Sequence, residues 1–161
     1  MADGPTQLRP KALLAALHLH EVEFVVIGGM SLAVHGYVRA TKDLDVVPGP
    51  DRANLRRLAT ALRSMDPKGD LGDMDADELG LEPDENGLAG GGNWVLTTTF
   101  GRLDVMQDVA GLRDYSHLRN GAVEINGTLY AGYDEVLSMK SAAGREEDLR
   151  DIAALKAARG E

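Results

Sequence analysis

The chain has 161 residues, enough for one domain with a core of its own, and contains no cysteine, which excludes disulfides, thiolate metal sites and a cysteine nucleophile. No apolar run approaches the roughly 20 residues a membrane span needs. The net charge of −9 is uneven: residues 1–63 carry +2, residues 64–100 carry −8 and residues 101–161 carry −3, so the acidic balance does not exclude a polyanionic partner at a local basic patch.

The elements follow in chain order. Leu13, Leu14 and Leu17 stand at helical spacing and predict a helix over about 10–20. The interruption of this run by His18 reads against a signal peptide, and the expectation is a soluble cytoplasmic protein that meets no membrane. "VEFVVI" is short, β-branched and continuously apolar, a buried strand ending at Gly28. "SLAVHGY" predicts a short helix with Ser31 near its N-terminus. "DLDVV" predicts a second strand, stopped by "PGP".

Asp51 then caps a predicted helix with Leu55, Leu58 and Leu62 on one face and Arg52, Arg56, Arg57 and Arg63 mostly on the other, the nearest thing to a basic patch for RNA. Residues 64–93 have no sustained period and many Gly and Asp, and read as a long acidic loop with short pieces of structure in it. Within it, Asp73 to Asp84 superficially resembles a calcium loop, but Glu78 stands where such a loop needs glycine. "WVLTTTFGRLDVMQDV" predicts two strands joined tightly at Phe100-Gly101, and "AVEINGTLYA" a hairpin turning at Asn-Gly. The segment 134–159 predicts two helices. Asp134 caps the first; the second buries Leu149, Ile152 and Leu155, with Asp148 and Asp151 off that stripe. Hairpins and helices mix without regular βαβ alternation. The expectation is therefore a single α+β domain over 1–161, with a mixed or antiparallel sheet flanked by helices.

Two features carry chemistry. Strand, Gly28-Gly29, helix lets a ligand approach the backbone, and the helix start offers free N–H groups that suit phosphate. Asp43 and Asp45 are i and i+2 on one strand, so both carboxylates share a face. Flanked by Leu44, Val46 and Val47, such a pair repels itself unless a cation intervenes, and hard oxygen donors suit Mg²⁺, with Mn²⁺ a substitute. Asp104, again an aspartate in an apolar strand, is the candidate third carboxylate, with Asp108 behind it. His35 reads as a satisfied histidine on a helix that faces the sheet.

"GGMSLAVHGYVRATKDLDVV" resembles the signature of the nucleotidyltransferase superfamily, the DNA polymerase β-like fold, and within it is similar to small bacterial members of the AbiEii toxin type. The likeness covers about residues 22–47, and extends more loosely through "FGRLDVMQDV" and "DEVLSMKSAAGREEDLRDIAAL". It implies a metal-dependent transfer of a nucleoside monophosphate from a nucleoside triphosphate to an acceptor hydroxyl. Asp43, Asp45 and Asp104 would hold Mg²⁺, and Gly28, Gly29 and Ser31 would bind the triphosphate. Arg39 and Lys140 would contact phosphate or sugar, and Asp148 or Asp151 would match a late functional aspartate. The toxin-like relatives imply a tRNA or other RNA acceptor, or a protein, and a cognate antitoxin. Alternatives are an antibiotic hydroxyl as acceptor, drawn to the acidic loop, and a catalytically silent chain that binds a partner protein.

Overall fold

The computed structural model describes residues 7–161, so the first six residues of the expected 1–161 domain lie outside the described residues. The chain divides into two interleaved compact units. One comprises residues 1–24 and 42–108, the other residues 25–41 and 109–161. Both combine helices with a mixed sheet, as expected of an α+β chain.

In the first unit, helix α1 (Pro10–Leu19) buries Leu13 and Leu17. Strand β2 (Asp43–Pro48) leads to helix α3 (Arg52–Arg63), whose N-cap Asp51 accepts a hydrogen bond from the Asn54 backbone N–H. Leu55, Leu58 and Leu62 are buried on α3, as the helical stripe requires. The acidic segment is more structured than its composition predicts. It holds strand β3 (Lys68–Leu71) and the short helices α4 (Ala76–Leu79) and α5 (Glu85–Ala89). Two of its aspartates have structural work: Asp75 caps α4 and Asp84 caps α5. Strands β4 (Trp94–Thr98) and β5 (Gly101–Val105) form the expected tight hairpin. The order is β3-β4-β5-β2, antiparallel except for the parallel β5–β2 pair.

The arginine face of α3 is partly neutralised from inside the unit. Arg52 and Arg56 both pair with Glu85 on α5, and Arg57 donates to the Glu21 carbonyl. A cleft of about 340 Å³ beside β3 is lined by Arg63 and Lys68 as well as by Asp77, Glu82 and Asp84. Its mixed charge gives no specific support to a cationic drug as occupant.

In the second unit, β1 (Phe24–Ile27) pairs in parallel with β7 (Thr128–Tyr130), and β7 in antiparallel with β6 (Val123–Ile125). The β6–β7 turn sets Asn126 at φ 51° and Gly127 at φ 81°, the two left-handed positions that the Asn-Gly pair predicts. Helix α2 (Gly29–Val34) begins two residues before Ser31. Helix α6 (Tyr115–Asn120) takes up His117, a position without a sequence signal. Helix α7 (Tyr133–Ala143) starts from Gly132, so Asp134 lies in its first turn rather than at the cap.

Helix α8 (Glu146–Ala158) corrects the expected stripe. Leu155 is buried, but Leu149 is 57% exposed, while Asp148 and Asp151 are 0% and 1% exposed. The aspartates face inward because cations await them there. Among the described residues, no helix is long and apolar enough to cross a membrane.

Candidate active site

Alternation along two parallel strands builds the acidic site. On β2, Leu44 and Val46 are buried, which sends Asp43 and Asp45 to the opposite face. On β5, Leu103 and Val105 are buried likewise, leaving Arg102 and Asp104 on the other face. The register sets Asp43 against Arg102 and Asp45 against Asp104. The three carboxylates converge, each offering an oxygen within 4.8 Å of the others.

Asp104 is 6% exposed and accepts a two-pronged hydrogen bond from Arg102, Nε to Oδ1 and Nη2 to Oδ2, each 3.0 Å. Asp45 Oδ1 is buried and accepts no hydrogen bond. Burial, then the charges of Asp43 and Asp104 and a carboxyl–carboxyl contact with Asp104, pushes the Asp45 carboxyl up to about 8; Arg102 offsets only part of this. A buried, unsatisfied carboxylate oxygen facing two further carboxylates is a poor scaffold and a good cation site. Three hard oxygen donors fit Mg²⁺ or Mn²⁺. Asp108, the fallback third carboxylate, lies beyond β5, exposed, with its backbone N–H on Asn93 Oδ1.

The remaining candidates lie in the second unit. Gly28 has φ 71° and ψ −154°, a region essentially reserved for glycine. Gly29 lies close against Thr41: a Cβ there would stand 3.0 Å from Thr41 Oγ1, so the threonine side chain would have to give way. Ser31 is fully buried, and its hydroxyl donates to the Gly28 carbonyl at 2.7 Å, which locks the turn. His35 is satisfied, with Nε2 2.7 Å from the Ala131 carbonyl oxygen.

Arg39, Lys140, Asp148 and Asp151 come together in one ion network. Arg39 reaches Asp151 through two contacts of 3.1 Å, and Lys140 bridges Asp151 at 2.9 Å and Asp148 at 3.3 Å. Arg145 holds Asp148 by side chain and backbone. Burial alone would raise the Asp148 carboxyl, but hydrogen bonds from Arg145 and Lys140 hold it below the usual carboxylate value.

Arg102 escaped the sequence reading. Arg102 carried a usable signal, since it stands two residues before Asp104 on a predicted strand and must share its face.

A solved structure of a Thermotoga maritima protein provisionally assigned as a nucleotidyltransferase matches this chain at a TM-score of 0.53 and 15% identity, covering 92% of this chain and 94% of that one. The fold is that of the nucleotidyltransferases. Weaker likenesses extend to ANT(2")-Ia in complex with adenylyl-2"-tobramycin (TM-score 0.46, 12% identity, 90% of this chain and 93% of that one). They also extend to an antigenic nucleotidyltransferase-like protein of Paracoccidioides brasiliensis (TM-score 0.47, 18% identity, 92% and 77%). Neither of these weaker likenesses bears on substrate. No protein-family model and no curated protein matches the sequence. On the nucleotidyltransferase fold established here, the paired aspartates of β2 and the aspartate of β5 stand as an acidic triad.

Proposed function

We propose that the chain is a metal-dependent nucleotidyltransferase. The observation that carries this is the Asp43–Asp45–Asp104 cluster, with its orphaned Asp45 oxygen, on a nucleotidyltransferase fold. Asp43, Asp45 and Asp104 would hold Mg²⁺ or Mn²⁺. The bound ion supplies charge neutralisation at the reacting phosphate.

The chain's own residues position and move protons. The acceptor hydroxyl oxygen forms a bond to the α-phosphorus of a nucleoside triphosphate. The bond from that phosphorus to the bridging oxygen breaks, and pyrophosphate leaves. Asp104 would take the hydroxyl proton. Gly28 and Gly29 are the proposed triphosphate contacts, through backbone N–H groups. Ser31 supports that turn through its bond to the Gly28 carbonyl. Lys140 and Arg39 would meet phosphate or sugar by exchanging part of their pairing with Asp148 and Asp151.

For the acceptor we favour an RNA hydroxyl, a tRNA 3′ end above all, in a cytoplasmic toxin controlled by a cognate antitoxin. The support is the sequence pattern Lys140, Arg145, Asp148, Asp151, whose four members join in one ion network around the two buried aspartates. Incubation with Mg²⁺, labelled triphosphates and total RNA tests both levels. Label transfer to RNA, lost in Asp43→Ala, is the expected result. Transfer to no RNA, protein or small-molecule hydroxyl sinks the enzyme. Transfer to protein or to an aminoglycoside alone sinks the RNA acceptor.

A further inference from the structure

Arg102 lies on the same face of β5 as Asp104 and covers the acidic cluster from the solvent side. Its fork closes on both oxygens of Asp104 at 3.0 Å, and its Nε lies 3.6 Å from Asp43 Oδ2 on the neighbouring strand. One guanidinium thus spans two of the three carboxylates. Its side chain is 46% exposed, against 9% for that of Asp104. It can therefore leave the cluster without opening the core.

An exposed ion pair is ordinarily worth little. This one differs in two respects: the contact is a bidentate fork, and the carboxylate it grips is buried among like charges. Three carboxylates this close repel one another, and a cation that touches two of them relieves the repulsion. A divalent ion would do the same with twice the charge, and would need some of the same oxygen lone pairs.

We propose that Arg102 is a built-in counter-cation of the triad: it holds Asp104 and Asp43 together while no divalent ion is bound, and it competes with the ion that enters. It thereby sets how tightly the site takes its metal. This rests on reading the triad as a metal site. Two physical effects point in the same direction. Lone pairs engaged by the fork are withheld from an incoming ion, and a positive charge within a few ångströms repels that ion. Arg102 therefore stabilises the metal-free protein and weakens metal binding.

Titration of the metal-free protein with Mn²⁺ by calorimetry, together with thermal unfolding with and without Mn²⁺, tests the proposal on wild type, Arg102→Gln and Arg102→Lys. Arg102→Gln should bind Mn²⁺ about fivefold more tightly or better. Its metal-free midpoint should fall, and saturating Mn²⁺ should close the gap to wild type. Arg102→Lys keeps the charge without the fork, and should lie between the two. Equal or weaker Mn²⁺ binding by Arg102→Gln overturns the proposal. Should Arg102→Gln not fold without metal, refolding on addition of Mn²⁺ supports it and failure to refold overturns it. A wild-type protein that takes up no Mn²⁺ overturns the metal-site reading itself, a result distinct from equal binding by both proteins.

Discussion

Asp45 stands directly across the parallel β2–β5 pairing from Asp104, and its Oδ1 is buried without a hydrogen-bond partner. A neutral amide at this position removes one of three crowded charges at almost no change in shape. Asp45→Asn should therefore stabilise the metal-free protein at pH 8, by on the order of 1–2 kcal/mol. It should also abolish any stabilisation by Mn²⁺. Denaturant titrations with and without the ion measure both, and an Asp45→Asn protein still stabilised by Mn²⁺ would remove Asp45 from the ligand set.

The same carboxyl sets a pH dependence with a definite sign. Its folded-state pKa, about 8, lies above the ordinary carboxylate value. The folded protein thus holds a proton that the unfolded chain has released from about pH 4 upward, and stability falls as pH rises toward about 8. The metal-free protein should lose unfolding free energy steadily from pH 5 to 8 through this group. Mn²⁺ affinity should rise over the same range, because binding expels the proton. Calorimetry in buffers of different ionisation enthalpy reads that proton release, and its absence at pH 6.5 would contradict the raised value.

The triad was legible in the sequence because strand alternation is strict: Asp45 and Asp104 each sit between apolar residues that had to be buried, and Asp43 shares the face of Asp45 two residues on. Period also placed α1, α3 and the Asn-Gly hairpin. The fold failed to show where side-chain pairing overrides hydropathy. On α8, Leu149 matches the apolar stripe yet is 57% exposed, while Asp148 and Asp151 point inward to Lys140 and Arg39, residues distant in sequence. Strand β3 was hidden for another reason. It is an edge strand of Lys, Gly, Asp and Leu, held by backbone pairing with β4 rather than by an apolar face.

That inward network yields an asymmetric prediction. Removing Asp151 leaves Arg39 and Lys140 without a shared partner, whereas removing Lys140 leaves Asp148 and Asp151 still held by Arg145 and Arg39. Asp151→Ala should cost about 3–5 kcal/mol, the range for breaking a buried pair from one side. Lys140→Met should cost less, about 1–3 kcal/mol. Urea unfolding monitored by circular dichroism ranks them, and the reverse order would refute the arrangement.

Gly28 offers a test of the turn separate from any ligand. Its φ of 71° with ψ −154° excludes a side chain at low cost. Gly28→Ala should lose about 2–3 kcal/mol or shift the start of α2. Asp43→Ala, which frees a repelling charge, should not destabilise the metal-free protein comparably. Equal losses in the two variants would deny the glycine its special backbone role.

Asn54 governs the strand that carries the paired aspartates. It is fully buried, accepts from the Glu23 N–H at 2.7 Å, and donates to the Glu23 carbonyl at 2.9 Å and the Gly49 carbonyl at 2.8 Å. Its amide thus ties the residue after β2 to the residue before β1. Truncation to alanine leaves two backbone groups without these partners, the Glu23 N–H and the Gly49 carbonyl, while the Glu23 carbonyl keeps the Gly49 N–H at 3.0 Å. The expected loss is about 3 kcal/mol, more than any single neutral hydrogen bond contributes, because the cost is that of the unpaired groups left behind. Asn54→Asp should lose as much, since a carboxylate restores the acceptor for Glu23 N–H but turns both carbonyl contacts repulsive. Equilibrium unfolding of both variants decides it: a loss below about 1 kcal/mol in Asn54→Ala would mean that water satisfies those groups.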